Sequence, residues 1–157
     1  MVRAGEKLSL PLPTQNLWQG DTKARIARRW LAMAKRVLVI DDEDDIREVA
    51  QASLEIMAGL DVIVARSSFE GLRKAEMEQP DAILLDVMLP DMDGIAAFQH
   101  LQANPATQHI PVILLTAKVH AADRRRFADL GVKAMIAKPF KPAKLAEELL
   151  QILEWNT

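Results

Sequence analysis

From Arg36 onward the chain alternates between short runs that are apolar throughout and longer segments whose apolar residues recur at helical spacing. RVLVI (36–40) is continuous and β-branched, the pattern of a strand buried on both faces. Residues 44–58 place Ile46, Val49, Ala50, Leu54 and Met57 on one helical stripe, which Gly59 stops. DVIVA (61–65) predicts a second strand, and Ser67 or Ser68 can cap a helix over 67–78 that ends before Pro80. AILLD (82–86) predicts a third strand, followed by the loop VMLPDMDG and a helix near 94–104 that ends before Pro105. PVILLTA (111–117) is the fourth strand, 120–130 a helix ended by Gly131, VKAMIA (132–137) the fifth strand, and Pro142 opens a last helix to about Glu154.

Five wholly apolar strands, each followed by a helix, require a parallel sheet covered on both faces. Right-handed crossovers then lead to an α/β fold, a doubly wound five-stranded (βα)5 sheet of flavodoxin-like order 2-1-3-4-5. In such sheets ligands bind beyond the carboxyl ends of the strands, where the winding reverses. The residues that matter are therefore those that end the strands: Asp41 and Asp42 after the first, Asp86 at the third, Thr116 and Ala117 at the fourth, Lys138 and Pro139 after the fifth.

The region before this pattern is different in kind. Residues 1–20 contain two prolines and two glycines without a sustained period and read as irregular. From Asp21, a short capped helix can run with Ile26, Trp30 and Met33 as its stripe. Residues 1–36 carry eight basic side chains against Glu6 and Asp21, whereas the remainder carries 12 against 20 acidic ones, so the net charge of −2 conceals a basic arm on an acidic body. We divide the chain into an N-terminal basic extension (1–34) and a folded domain (35–157). The extension reads as a solvated leader; binding to nucleic acid, to an acidic membrane or to the body itself is the alternative. MAKRVLVIDDE from Met33 looks like a complete start of the folded domain. The absence of cysteine excludes disulfides and thiolate metal sites. No apolar run reaches the length of a membrane span, and the N-terminus lacks an unbroken apolar signal region, so a soluble cytoplasmic protein is expected.

In strand order 2-1-3-4-5 the first and third strands are neighbours, which gathers the carboxylates of Asp41, Asp42 and Asp86. Such a group folds only with positive charge among it or with some members protonated. Hard oxygen ligands favour Mg2+. Asp86 could then attack a phosphorus atom in line, as carboxylate nucleophiles do in forming aspartyl phosphates. Lys138 could hold one phosphoryl oxygen and the Thr116 hydroxyl could donate to another.

The set VLVIDDE, LLDVMLPDMDG, LLTA and AKPF, in this order and spacing, resembles the receiver domain of two-component response regulators over about residues 35–155. Each motif alone is weak; together, each at a strand end, they are specific. The resemblance implies that Asp86 accepts a phosphoryl group from a histidine kinase or a histidine phosphotransfer protein. It implies that Asp42 and Asp86 ligate Mg2+ with Asp41 assisting through water and with the Met88 backbone carbonyl as a further ligand. Thr116, Ala117 and Lys138 would take the phosphate-binding and switch roles, and Lys138–Pro139 would be a cis peptide. The face of the fourth helix, fifth strand and last helix, with Arg124–Arg125–Arg126, would dock a partner or a second copy, although a charge run is ordinarily a solvated face. Output would leave through a downstream protein target or by passing the phosphate on, because 19 residues follow Lys138 and the last helix consumes them. Direct nucleic-acid binding and turnover of a substrate are not expected.

Three other readings stand beside this one. A phosphatase of the haloacid-dehalogenase kind places its nucleophile in a DxD motif after the first strand, whereas here the paired aspartates are adjacent and the candidate nucleophile follows the third. A degenerate receiver acting only as a binding module would keep the fold without the phosphate chemistry. A flavin binder would need donors where the first loop is acidic. His100, His109 and His120 have no metal-ligand spacing. One residue departs from the resemblance: receivers usually carry Tyr or Phe three positions before the strand-five lysine, and this chain has Met135. Methionine is flexible enough to fill the same gap but offers neither ring nor hydroxyl. The expected outcome is a retained switch with an altered read-out: NMR spectra of the free and beryllofluoride-bound protein should differ around Thr116 and Met135, and identical spectra there would refute it.

Overall fold

The computed structural model describes residues 34–117 and 120–155. The helix expected from Asp21 lies outside these residues. Five strands, β1 (Arg36–Ile40), β2 (Asp61–Ala65), β3 (Ala82–Asp86), β4 (Val112–Thr116) and β5 (Ala134–Ala137), form one parallel sheet in the order β2-β1-β3-β4-β5. The helices are α1 (Asp44–Ala52), α2 (Ser68–Glu78), α3 (Gly94–Ala103), α4 (Ala121–Leu130) and α5 (Pro142–Leu153). This is the flavodoxin-like order the strand pattern predicts, with boundaries within about two residues of those expected.

The continuous apolar runs make sense once strand period is applied, because successive side chains point to opposite faces. Leu38, Ile40, Ile83, Leu85, Val112 and Leu114 join Phe98, Leu101 and Phe127 in one core layer. Val37, Val39, Leu84, Ile113 and Leu115 join Ala50, Leu54, Leu145 and Leu149 in the other. Each strand thus feeds two cores at once, and no polar face is left over. Trp155 packs at the edge of the second core, with the Lys35 ammonium 5.8 Å from its ring centre.

Local signals act where expected. The Ser67 hydroxyl accepts from the Glu70 N–H to cap α2, and the Asp93 carboxylate accepts from the Ala96 N–H to cap α3. Asp91 fastens the β3–α3 loop: its carboxylate accepts from the Ser68 and Phe69 N–H groups at the start of α2. Burial works against the ionised form, but these backbone hydrogen bonds outweigh it and hold Asp91 below the usual carboxylate range.

The largest local departure is in the first helix. After Ala52 it widens into a π-helical turn, Ser53–Met57, and the Ser53 hydroxyl donates to the Pro142 carbonyl at the start of α5. The widening rotates the last turn. Leu54 stays buried, whereas Met57, placed on the inward stripe by straight helical spacing, is 55% exposed, and Ile56 is 81% exposed. Leu54→Ala should therefore cost about 2–5 kcal/mol of stability, whereas Ile56→Ala should stay within about 0.5 kcal/mol; urea denaturation of the two variants checks this.

Candidate functional site

Pairing of β1 with β3 runs in register from Val37↔Ala82 to Ile40↔Leu85, so the chain leaves β1 into Asp41 beside Asp86, the last residue of β3. Asp41, Asp42 and Asp86 each offer a carboxylate oxygen, and these oxygens lie within 4.8 Å of one another. Asp41 and Asp86 are buried, while Asp42 is exposed at the mouth. Like charges at that separation repel by roughly 3–4 kcal/mol per pair at an effective dielectric of ~20.

Lys138 is the counter-charge. Its Nζ lies 3.0 Å from Asp41 Oδ2, 3.5 Å from Asp86 Oδ1 and 3.7 Å from Glu43 Oε1. Its backbone N–H donates to the Thr116 carbonyl, and the Lys138–Pro139 peptide is cis. Asp41 is held on both oxygens, Oδ1 by the Glu43 N–H and Oδ2 by Lys138. Asp86 Oδ1 accepts from the Met88 N–H at 3.2 Å. Thr116 is buried at the end of β4, Ala117 is exposed just beyond it, and the Met88 side chain points to solvent at 72% exposure. Met135 is not in this cluster: it pairs with Leu114 on β4 and packs, half-buried, against the core layer that contains Phe98 and Phe127. His100, His109 and His120 are exposed, as are Arg124, Arg125 and Arg126.

The electrostatics follow from burial. Burial, then the charge of Asp41, raises the Asp86 pKa above the usual carboxylate value, against the Met88 N–H and Lys138, which lower it. Burial disfavours the Lys138 ammonium, but the hydrogen bond and charge of Asp41, with Asp86 and Glu43, outweigh it and raise its pKa. One ammonium cannot balance three carboxylates. The donor set is all hard oxygen, with no nitrogen or sulfur ligand, and it fits a small divalent cation such as Mg2+.

Gly94 shapes the same corner. A side-chain carbon at this position would come within 2.3 Å of the Asp86 carbonyl oxygen, and the Gly94 N–H donates to the Val87 carbonyl. Two residues missed from sequence also belong here. Glu43 completes the surroundings of Lys138, and Arg47 is buried on α1 with its guanidinium on the Asp41 carbonyl. Arginine is ordinarily read as surface, so nothing in the one-dimensional pattern separates Arg47 from its exposed neighbours.

Residues 37–150 match the family described as the response regulator receiver domain. The chain belongs to this family. Receiver domains are signalling phospho-acceptors of two-component systems rather than enzymes. The chain is 40% identical over 121 residues to the alkaline phosphatase synthesis transcriptional regulatory protein PhoP of Bacillus subtilis (strain 168), covering 77% of this chain and 49% of that protein. It thus spans about half the length of the curated relatives it matches. Among solved structures, the chemotaxis response regulator CheY4 of Vibrio cholerae superposes with a TM-score of 0.71 at 27% identity, covering 76% of this chain and 98% of that one. The receiver domain of a sensor histidine kinase from Pseudomonas aeruginosa PAO1, with a magnesium ion coordinated in its active-site cleft, gives 0.68 at 30% identity, covering 77% and 98%. Among the described residues of this receiver, no helix is long and apolar enough to cross a membrane.

Because Asp86 ionises less readily in the folded chain than in the unfolded one, its charge opposes folding above its folded pKa. That penalty vanishes as pH falls toward the unfolded value near ~3.9. In metal-free buffer at pH 7, Asp86→Asn should raise the melting temperature by roughly 2–5 °C. The difference from the unsubstituted chain should shrink as the pH is lowered, as calorimetry at several pH values would measure.

Proposed function

We propose that this receiver accepts a phosphoryl group on Asp86 from the phosphohistidine of a histidine kinase or a histidine phosphotransfer protein, in a Mg2+-dependent step. The observation that carries the reading is the convergence of the buried Asp86 carboxylate with Asp41, Asp42 and the Lys138 ammonium at one edge of the sheet. A carboxylate oxygen of Asp86 forms the new bond to phosphorus while the bond from phosphorus to the donor imidazole nitrogen breaks, and the electron pair leaves with the imidazole. Asp41, Asp42, Asp86 and the Met88 carbonyl would hold the divalent ion, whose charge offsets that of the incoming phosphate. Lys138 holds a phosphoryl oxygen as a point charge, already positioned by Asp41. The Thr116 hydroxyl donates to a second oxygen, and Ala117 leaves the space beside it open. Little covalent work is asked of the protein, because fixed geometry and charge do most of it.

The same reading places the module in the cytoplasm, where kinases meet ATP. Its output would pass through protein contacts, either to a target or along a phosphate relay. The surface of α4, β5 and α5 is the proposed docking or dimerisation face, and Met135 beneath it is the proposed point at which the switch departs from the aromatic form. Acetyl phosphate with Mg2+ tests the central claim. The unsubstituted chain should be labelled, Asp86→Asn should not, and Lys138→Ala should be labelled on the order of 10²-fold more slowly. Equal labelling of the unsubstituted and Asp86→Asn proteins would overturn the assignment.

A further inference from the structure

Arg47 stands at an inward position of α1, between Ile46 and Ala50, where an apolar side chain would extend the stripe at less desolvation cost. It is only 7% exposed. Its guanidinium makes two contacts of different character. One Nη donates to the Asp41 backbone carbonyl at 2.7 Å in a buried, charge-assisted bond. The other meets the carboxylate of Asp44, whose side chain is mostly exposed, in an ion pair within the first turn. Solvent around the Asp44 carboxylate screens that pair and leaves it a small contribution. The contact with Asp41 is the consequential one.

The Asp41 carbonyl belongs to the planar peptide unit that leads into Asp42. The amide of Asp41 is fixed from the other side, donating to the Ala65 carbonyl at 3.1 Å. The Asp41 carboxylate is held by the Glu43 N–H and by Lys138. With Arg47 on the carbonyl, every polar group of Asp41 has a partner, and the plane from which Asp42 departs is set. Asp42 itself is exposed and has no comparable packing to hold it.

We propose that Arg47 is a positioning residue for the divalent cation: anchored on the Asp41 carbonyl, it holds the Asp41–Asp42 peptide so that both carboxylates stay gathered with Asp86. This rests on the reading of the site as a Mg2+-dependent phospho-acceptor. It adds that the acidic pair is preorganised from beneath by a buried cation that never touches the phosphoryl group.

The test uses the full chain and measures Mg2+ binding directly by calorimetry, alongside metal-free melting curves and the rate of labelling by acetyl phosphate. Arg47→Met keeps most of the volume and removes the anchor. It should weaken Mg2+ binding about tenfold, the lower end of the effect seen when groups orienting metal ligands are removed. Saturating Mg2+ should bring its labelling rate to within about twofold of the unsubstituted chain, because the phosphate-binding groups are untouched. Asp44→Ala, which removes only the solvent-screened pair, should leave the Mg2+ affinity within about twofold. Arg47→Lys should lie between the parent and Arg47→Met, and it carries the test if the methionine variant does not fold. Unchanged Mg2+ affinity in Arg47→Met, or in Arg47→Lys if only that variant folds, would overturn the proposal even if the melting temperature fell, because that is the signature of a purely structural arginine. Failure of the unsubstituted chain to bind Mg2+ would instead remove the phospho-acceptor reading itself, so the two failures are distinguishable.

Discussion

The parallel pairing of β1 with β3 is the constraint on which the rest depends. It forces Asp41 and Asp42 against Asp86, and the resulting repulsion has to be balanced by other parts of the chain. Lys138 reaches across from the end of the edge strand β5, past β4, to meet two of the three carboxylates, so the edge and the middle of the sheet are linked through one ammonium. The balance stays incomplete, and burial of Asp86 sharpens it by raising the carboxyl's affinity for a proton. A site in this condition gains from a dication and from a group whose oxygens Lys138 can hold. On the proposed reading, binding of the ion and acceptance of the phosphoryl group would therefore have one electrostatic origin.

A charge cluster of this kind needs a frame that does not relax away from it. Both core layers supply that frame, since every strand buries side chains on each face and cannot rotate without exposing one set. The loops are fastened as well. Asp91 joins the β3–α3 loop to the first turn of α2, and Gly94 lets the start of α3 come against the Asp86 backbone, where any side chain would collide. On the reading proposed for Arg47, the β1–α1 loop has the same kind of fastening. On the proposed reading, rigid surroundings would matter because a reaction that relies on positioning loses rate steeply when groups drift by even about 1 Å.

The first helix shows where local pattern and tertiary packing part company. Of its inward stripe, Ala50 and Leu54 are buried, but Val49 is already 38% exposed, and Met57 turns out where the chain widens into a π-helical turn with Ser53 bonded to the Pro142 carbonyl of α5. A period of 3.6 cannot foresee a bond made to a residue 89 positions away. Arg47 is a failure of the same kind. Its burial depends on the Asp41 carbonyl lying over α1, and composition assigns arginine to the surface by default.

The sequence by itself determined the five strands, their order, and the residues at their carboxyl ends. Five-residue apolar, largely β-branched or leucine-rich runs set between helical segments fit strands buried on two faces, and alternation with helices admits few windings. It also carried the identity of the carboxylates and the lysine, because strand-end position follows from strand length alone. Tertiary structure decided which oxygen meets which ammonium, that Asp91 serves α2, that Glu43 stands beside Lys138, and that Arg47 turns inward. It also put Met135 in the core layer beneath α3 and α4, apart from the carboxylates. Strand and helix periods are local properties of the chain, whereas each of these contacts joins elements whose approach is set only when both faces of the sheet have packed.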